Sequence, residues 1–315
     1  MRRSIAGDFA SLPHVRVVVT LDENLPDDHG PWTVVRVGPG EEPERFASLA
    51  ARADFTALIA PESGGVLADR ARTIERAGGR SLGASPAAIE LAGNKLRLGA
   101  HLAERGIDTP PCRCIVPSLG LPADFPYPAV LKPIDGAGSL ETYLIPDAGA
   151  LPGRPRTPGE ALLQPFVAGV PMSASFLVGT DGRARPIGTG RQWVEVHEGR
   201  FLYRGGELPS PGSPPVESPR QAVESVPGLL GFVGVDFLHD EGSGKITVLE
   251  INPRPTTSYV ALSWHLNPGV LARAWLGLVS DIPGERGLDL AAIVHSRSPT
   301  RFAADGTIDI GGTRV

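Results

Sequence analysis

Two short apolar runs in the last third of the chain carry polar residues at alternate positions. Residues 233–238 and 245–251 are rich in β-branched and aromatic side chains, and a glycine-containing stretch at 242–244 separates them. This pattern predicts two antiparallel strands joined by a turn. Because side chains two residues apart share a face of a strand, Asp236 of the first strand is expected to lie across from Glu250 of the second.

The N-terminal part of the chain alternates apolar runs with helical patterns. Residues 15–20 and 56–60 are predicted to be buried parallel strands, and residues 42–52 and 68–77 are predicted to be helices. Such an alternation is typical of a small α/β layer.

Further along, Ser85 and Pro86 supply a cap and a first-turn proline for a helix. This helix is predicted to continue through 94–105 and to end at Gly106. A second long helix is predicted over residues 261–276.

The rest of the chain has the pattern of hairpin-rich segments. Together with the N-terminal α/β layer, these segments predict an α/β fold built of α+β layers. A proline- and serine-rich stretch at 209–219 is predicted to be a disordered surface loop, and residues 291–312 alternate like a small terminal hairpin. We predict three parts: an N-terminal α/β domain at 1–82, a large domain at 83–280 with subdomains at about 114–169 and 170–280, and a small C-terminal hairpin or tail at 281–315.

Composition narrows the class of protein. The chain has 315 residues and a formal net charge of -5, so it can hold several subdomains and offers no basic surface for nucleic acid. Its two cysteines, Cys112 and Cys114, are too close for an ordinary disulfide and have no second pair to complete a zinc site. No apolar run has the length of a membrane span and no signal core follows Met1, so we expect a cytoplasmic protein with no membrane partner.

Candidate chemistry begins at Glu250, because Asn252 and Arg254 follow it at two-residue intervals. Carboxylate and amide oxygens suit Mg²⁺, which takes phosphate oxygens as further ligands, and the guanidinium fork can bind a phosphate. Asp236 strengthens this reading, since a carboxylate is costly to bury unpaired and two facing acids repel unless a cation lies between them. The alternative is a strand end at which Glu250 and Arg254 form a surface ion pair.

A second candidate cluster follows another apolar strand, which ends at Lys132. Pro133 stops the ladder, and residues 136–139 form a glycine-rich loop before a strand predicted at 142–145. Backbone amides of such a loop can hold phosphates while the lysine neutralises them. The alternative is a glycine hairpin with a lysine that only extends to solvent. The loop fails as a dinucleotide fingerprint because Glu141 occupies the place of the third glycine.

A third candidate segment surrounds Gln164. An apolar strand reaches this residue, and 166–169 are predicted to be an extended linker toward a strand beginning near Met172. Extended backbone can pair with a purine edge, with Phe166 and Val167 supplying apolar contacts. Any strand that connects two domains would look similar.

The order of these segments resembles the ATP-grasp superfamily. In chain order, the residues that carry the resemblance are Asn94 with Lys95, the Leu-Lys-Pro stretch at 131–133 with its glycine loop, and the stretches 164–169, 234–237 and 249–254. The resemblance covers roughly 83–275. Within the superfamily the chain is most similar to the small carboxylate–amine ligases that include the tyramine–glutamate ligases of methanofuran biosynthesis and their bacterial counterparts. The segments that carry this narrower resemblance, near Glu62, Arg191 and Tyr203, are less specific than the nucleotide motifs.

This resemblance implies a fold in which two hairpin-rich subdomains, preceded by the small parallel α/β subdomain, enclose an ATP site. It implies phosphate contacts from Lys95 and Lys132, a lid formed by Gly136, Ala137, Gly138 and Ser139, and an adenine pocket lined by Gln164, Phe166 and Val167. It implies magnesium ligands at Asp236, Glu250 and Asn252, and catalytic contacts from Arg254, Lys132 and Arg191. Arg191 also fits an exposed arginine at a strand end. Residues 169–171 offer no acid for the ribose, which many relatives have there.

The implied reaction is amide formation through an acyl phosphate, with ADP and phosphate as products. The resemblance implies ATP and Mg²⁺ as cofactors, with Mn²⁺ as a substitute, small-molecule substrates (an amino acid and an amine), and a homodimer as one assembly. Its substrates would be glutamate with tyramine or tyrosine. The alternatives are a ligase for another amino acid or dipeptide, or a nucleotide-binding regulatory protein without turnover. A dinucleotide-dependent oxidoreductase is disfavoured because no GxGxxG follows a first strand.

Overall fold

The computed structural model describes residues 1–136, 139–150, 159–210, 215–280, 289–310 and 313–314. Two residues of the predicted lid, Ala137 and Gly138, lie outside these ranges, as do 211–214 of the predicted proline-rich loop. The last part of that predicted loop is helical, because a helix begins at Glu217.

The N-terminal part contains a two-stranded parallel sheet, but one of its strands differs from the prediction. Its elements are α1 (Arg2–Ala10), β1 (Val18–Asp22), β2 (Thr33–Val37), α2 (Glu42–Arg52) and α3 (Val66–Arg76). β1 pairs with β2, whereas the predicted strand at 56–60 forms only a bridge from Thr56 to Ser81. Leu58 and Ala60 instead pack against a core cluster, so their apolar character reflects packing rather than strand pairing.

The helix predicted from Ser85 to Gly106 is two helices, α4 (Pro86–Gly93) and α5 (Lys95–Glu104). The side chain of Ser85 accepts a hydrogen bond from the first turn of α4, as the sequence predicted. Asn94 interrupts the helix because its backbone is extended and its side chain caps the Arg97 N–H. Lys95 therefore stands at a helix N-terminus.

A large antiparallel sheet, with strands of unequal length, forms the body of the molecule. Its strands and one helix are β3 (Arg113–Ile115), β4 (Ala129–Pro133), β5 (Tyr143–Ile145), β6 (Ala161–Pro165), β7 (Val170–Val178), β8 (Ala184–His197), β9 (Arg200–Leu208), α6 (Glu217–Glu224), β10 (Gly231–His239) and β11 (Ile246–Asn252). The strand order is β11-β10-β7-β8-β9-β5-β4-β6-β3. Among the described residues, β5 and β9 share a single register pair, Tyr143 with Arg200, so the sheet has two halves joined by a short contact.

The C-terminal elements are α7 (Ser258–His265), α8 (Val270–Val279), α9 (Leu290–His295), β12 (Thr300–Ala303), β13 (Ile308–Ile310) and β14 (Thr313–Arg314). The helix predicted over 261–276 is broken before Gly269, whose φ of 81° lies in the left-handed region. The predicted terminal hairpin is present as β12 and β13, but β12 also extends the large sheet by pairing with β9. The start of that segment is helical, because α9 occupies it.

Three apolar clusters hold these elements together. One lies under the small half of the sheet and includes Leu131 and Leu163. The other two cover opposite faces of the large half, and α1 joins the cluster formed by α7 and α8, where Phe9 contacts Trp275. The predicted division at residues 82 and 280 stays a prediction. Among the described helices, none is both long and apolar enough to cross a membrane.

Candidate active site

The predicted pairing of two acidic residues is present at the edge of the large sheet. Asp236 on β10 and Glu250 on β11 are register partners in the antiparallel ladder, and the pairing shifts at a bulge just after Asp236. The Asn252 amide donates to one Asp236 oxygen at 3.1 Å, and the Gln192 amide on β8 donates to the other at 2.8 Å. Three strands thus converge on one partly buried carboxyl group.

The two carboxyl groups differ in their charge surroundings. Burial raises the pKa of Asp236 well above its ordinary value, and the nearby charge of Glu250 raises it further. Burial alone would also raise the pKa of Glu250, but the positive charges of Lys95 and Lys132 outweigh it and hold this pKa below its ordinary value. In the ligand-free site, Glu250 therefore ionises at a lower pH than Asp236.

Both predicted phosphate-binding lysines lie beside these acids. The Lys95 ammonium is 3.2 Å from a Glu250 carboxylate oxygen and donates to the carbonyl oxygen of Gly136 at 2.5 Å. Lys132 is buried in β4, and burial lowers its pKa. The backbone N–H of Lys95 also donates to the Ile134 carbonyl at 2.9 Å, so the start of α5 is attached to the segment that follows β4.

The glycine loop is described only at its two ends. Gly136 contributes its carbonyl to Lys95, as above. Ser139 has a φ of 60°, a left-handed conformation that is uncommon for a residue with a side chain. Just before the loop, the Asp135 carboxylate accepts a hydrogen bond from the backbone N–H of Gly64 at 2.8 Å. This bond connects the base of the loop to the N-terminal part of the chain.

The predicted adenine-binding residues lie at the end of β6. Gln164 is buried, Val167 is half-buried and Phe166 is exposed. The backbone N–H of Phe166 donates to the Pro128 carbonyl at 2.9 Å, so this N–H already has a partner. The exposed Phe166 ring leaves an apolar surface in the segment that connects β6 to β7, and its contact with adenine stays a prediction.

Arg254 has a partner that the sequence did not identify. Its Nη2 donates to Oε2 of Glu62 at 2.9 Å, and its Nη1 donates to the Pro255 carbonyl at 3.2 Å. Glu62 is buried in the segment before α3. The partner of Glu250 is Lys95, so the alternative of a surface pair between Glu250 and Arg254 does not describe this site. The sequence showed the apolar segment around Glu62, but it did not show that Glu62 forms an ion pair with Arg254.

Gln192 is the second residue that sequence reasoning missed. Its neighbour Arg191 was the candidate, but adjacent residues of a strand point to opposite faces. Arg191 is in register with Met172, a member of the cluster behind the sheet, and is itself exposed. The structure does not bring Arg191 to the carboxyl groups, and its catalytic role stays a prediction. The alternation of side chains along a strand places Arg191 and Gln192 on opposite faces of β8. It does not show which of the two faces Asp236.

The arrangement fits a divalent cation that also binds phosphates. Within the described ranges, no group of three or more His, Cys, Asp or Glu residues gathers as a complete ligand set. Asp236, Glu250 and Asn252 offer two carboxylates and one amide oxygen, which leaves positions for phosphate oxygens, as Mg²⁺ prefers. The repulsion that raises the pKa of Asp236 would be relieved by such a cation.

Comparison with protein families gives two matches. A family model described as an ATP-grasp domain matches residues 92–258. A model described as a pre ATP-grasp 3 domain matches residues 15–89. The first match contains Lys95, Lys132, Asp236, Glu250 and Arg254.

The chain is also similar to individual proteins. It is 29% identical over 213 residues to the tyramine–L-glutamate ligase of Methanocaldococcus fervens, an alignment that covers 66% of this chain and 61% of that protein. The chain thus spans about three fifths of the length of the relatives it matches.

Two solved structures share the fold. A crystal structure of an ATP-grasp superfamily protein from Archaeoglobus fulgidus superposes with a TM-score of 0.59 at 24% identity, covering 79% of this chain and 72% of that one. An L-amino acid ligase from Bacillus licheniformis superposes with a TM-score of 0.70 at 16% identity, covering 88% of this chain and 72% of that one.

Proposed function

This chain belongs to the ATP-grasp family, whose model matches more than half of it, and from that premise we propose that it is an ATP-dependent ligase that joins a carboxylate to an amine. The observation that supports this most is the cluster of Lys95, Lys132, Asp236 and Glu250, which places two cations and two acids within one partly buried site. A protein that only bound a nucleotide would need the cations, but it would gain little from the paired acids.

The proposed roles follow from the charges. Lys95 and Lys132 bind the phosphates of ATP, and Lys95 would exchange its contact with Gly136 for a phosphate oxygen. Asp236, Glu250 and Asn252 would hold Mg²⁺, which neutralises charge on the transferred phosphoryl group. Arg254 contacts the substrate carboxylate and the acyl phosphate that forms from it. Gln164, Phe166 and Val167 line the adenine pocket.

Positioning would supply most of the rate. The substrate carboxylate attacks the γ-phosphorus in line, ADP leaves, and the amine then attacks the acyl phosphate and releases phosphate. Water has to be excluded, because it would hydrolyse the acyl phosphate before the amine arrives. The buried position of Lys132 is compatible with such a site.

We further propose that the carboxylate donor is glutamate and the acceptor is tyramine or tyrosine. Support comes from the similarity to tyramine–L-glutamate ligases, which covers two thirds of this chain. Another amino acid or a dipeptide would fit the same chemistry, because this choice rests on similarity and not on a specificity pocket.

An isotope experiment tests the reaction. Glutamate labelled with oxygen-18 in its carboxylates is incubated with ATP, Mg²⁺ and tyramine, and the released phosphate is examined by mass spectrometry. We expect ADP, and one labelled oxygen in the phosphate, only when both substrates are present. AMP as the nucleotide product would refute the acyl-phosphate route. ADP formation with a different substrate pair would refute only the choice of substrates.

A further inference from the structure

The ion pair between Glu62 and Arg254 connects two distant parts of the chain. The residues are 192 positions apart, and their side chains are only 6% and 14% exposed. Glu62 belongs to the N-terminal part, outside the segment that matches the ATP-grasp domain. Arg254 follows the end of β11, two residues after Asn252. A buried carboxylate from one part of the chain thus meets the guanidinium of another.

This pair is incompletely satisfied. Within the described part of the chain, Oε1 of Glu62 and Nε of Arg254 are both buried and have no hydrogen-bond partner. Most buried polar atoms have at least one hydrogen-bond partner, because a buried atom without one costs free energy. One free acceptor on an anion and one free donor on a cation are complementary to a ligand that carries an ammonium group and a carboxylate group.

The pair also lies next to the phosphate-binding residues. Gly93, which precedes Asn94 and Lys95, packs so closely on Glu62 that a side-chain carbon there would lie 3.2 Å from the Glu62 Cβ. Two residues after Glu62, the Gly64 N–H is bonded to Asp135, at the base of the glycine loop. Glu62 therefore lies at the phosphate end of the site, where a substrate carboxylate has to meet ATP.

We propose that Glu62 and Arg254 together form a subsite for an amino acid that enters with a free ammonium group, as the carboxylate donor of the proposed ligation. Oε1 of Glu62 accepts from the ammonium group, and Nε of Arg254 donates to the carboxylate. The ammonium group and the carboxylate that face the ion pair add no net charge to it, whereas an acid without an amino group leaves Oε1 unpaired. Glu62 is thus a specificity-determining residue, and this role rests on the proposed function.

Binding measurements test this subsite without turnover. Calorimetry compares L-glutamate with N-acetyl-L-glutamate on the full chain, in the presence of Mg²⁺ and a non-hydrolysable ATP analogue. In the wild type, we expect acetylation to weaken binding about 10- to 100-fold, the effect of losing one hydrogen bond between charged groups. Glu62→Gln keeps the shape and removes the charge. It should weaken glutamate binding by a similar factor and leave little difference between the two ligands.

A matched control is Glu42→Gln, which breaks the ion pair of Glu42 with Arg70 in the same part of the chain. This variant should keep the wild-type preference for the free amino group. Arg254→Lys, which keeps the charge but loses the Nε–H, gives an independent variant if Glu62→Gln is unstable, and should weaken both ligands equally.

The outcomes separate this inference from the proposed function. A Glu62→Gln protein that keeps the full preference for glutamate over its acetylated form overturns the subsite, and so does a wild type that binds no amino acid. ADP release with an acid that lacks an amino group overturns the subsite and leaves the ligase activity standing. Amino-acid binding that depends on Glu62, without ADP release for any acceptor, supports the subsite and contradicts the ligase activity.

Discussion

Asp236 and Glu250 face each other across one antiparallel ladder, yet their pKa values shift in opposite directions. Burial and the charge of Glu250 raise the pKa of Asp236, whose neighbours are the neutral amides of Gln192 and Asn252. Glu250 lies 3.2 Å from the Lys95 ammonium, and the charges of Lys95 and Lys132 lower its pKa. The two acids therefore have different structural roles in the ligand-free protein.

The first prediction is that the two carboxyl groups differ in their effect on stability. Glu250→Gln leaves Lys95 and Lys132 without their counter-charge, so it should lower the free energy of unfolding more than Asp236→Asn does. The loss should be below the about 3–5 kcal/mol expected for a fully buried pair, because the Glu250 side chain is 20% exposed. Asp236→Asn removes a carboxyl group whose pKa is raised by burial and by the charge of Glu250, so less favourable charge interaction is lost. Both variants should lose ligase activity.

Urea denaturation monitored by circular dichroism measures both free energies. Glu195→Gln is the control, since the pair of Glu195 with Arg204 lies in an exposed part of the sheet. A larger loss for Asp236→Asn than for Glu250→Gln would contradict the assignment of charge to Glu250.

A second prediction concerns Gln192, which orients Asp236. Gln192→Leu removes the donor to one Asp236 oxygen, so the carboxyl group should be less well positioned and harder to ionise. The concentration of Mg²⁺ needed for half-maximal nucleotide binding should rise about tenfold or more. Fluorescence titration of nucleotide binding against Mg²⁺ measures this value.

Gln221→Leu serves as the matched control for Gln192→Leu, because Gln221 donates only to the exposed Glu217 of its own helix. An unchanged Mg²⁺ requirement in Gln192→Leu would show that the amide is not needed to place Asp236.

A third prediction concerns Lys132, the buried cation in β4. Lys132→Met keeps the aliphatic stem and removes the charge, so ATP affinity should fall about 10- to 100-fold while the fold is retained. Calorimetric titration with ATP and Mg²⁺ gives the affinity. Lys245→Met is the comparison variant, because Lys245 is exposed and paired with Asp108 away from the acids. Equal affinities in the two variants would remove Lys132 from the nucleotide site.

A fourth prediction gives a pH dependence of stability at Asp8. Burial raises the pKa of this carboxyl group, although the hydroxyl groups of Ser263 and Tyr259 donate to it. A folded-state pKa above the unfolded one means that Asp8 contributes stability below about pH 4, and that this contribution is lost as the pH rises through the folded-state pKa. The stability of Asp8→Asn relative to the wild type should therefore increase as the pH rises from acidic to neutral.

Urea denaturation of both proteins over this range is the measurement. Asp181→Asn is an opposite control, because Arg185 holds the pKa of Asp181 at about 2, so its contribution is present at neutral pH and is lost only at low pH. A constant difference between Asp8→Asn and the wild type would mean that the Asp8 pKa is not raised.

Local patterns along the chain were enough to predict part of this structure. The two strands of the β10–β11 hairpin and the pairing of Asp236 with Glu250 follow from alternation and from a glycine-containing turn, both of which are short-range properties. The cap at Ser85 and the helix ends are similarly local. The family resemblance was visible for the same reason, because its residues occur as short stretches at strand ends.

Other expectations failed where burial and pairing are decided by distant residues. The apolar run at 56–60 resembles a strand, but it packs against a core cluster while β2 takes the pairing position. The predicted helix over 261–276 is broken at the turn Asn267-Pro268-Gly269, a local stop signal that the apolar pattern obscured. Only the packing of Gly269 against Ser11 and Leu12 near the end of α1 depends on a distant segment.

The sequence by itself determined the elements that carry the site and the residue types in it: strands that alternate, a lysine at a strand end, and three polar residues spaced by two. Only the tertiary structure decided that Gln192 rather than Arg191 faces Asp236, and that Glu62 pairs with Arg254 across 192 positions. The reason is physical. Strand alternation and helix capping depend on neighbours in sequence, whereas the charge that meets a buried group depends on which distant segments pack around it.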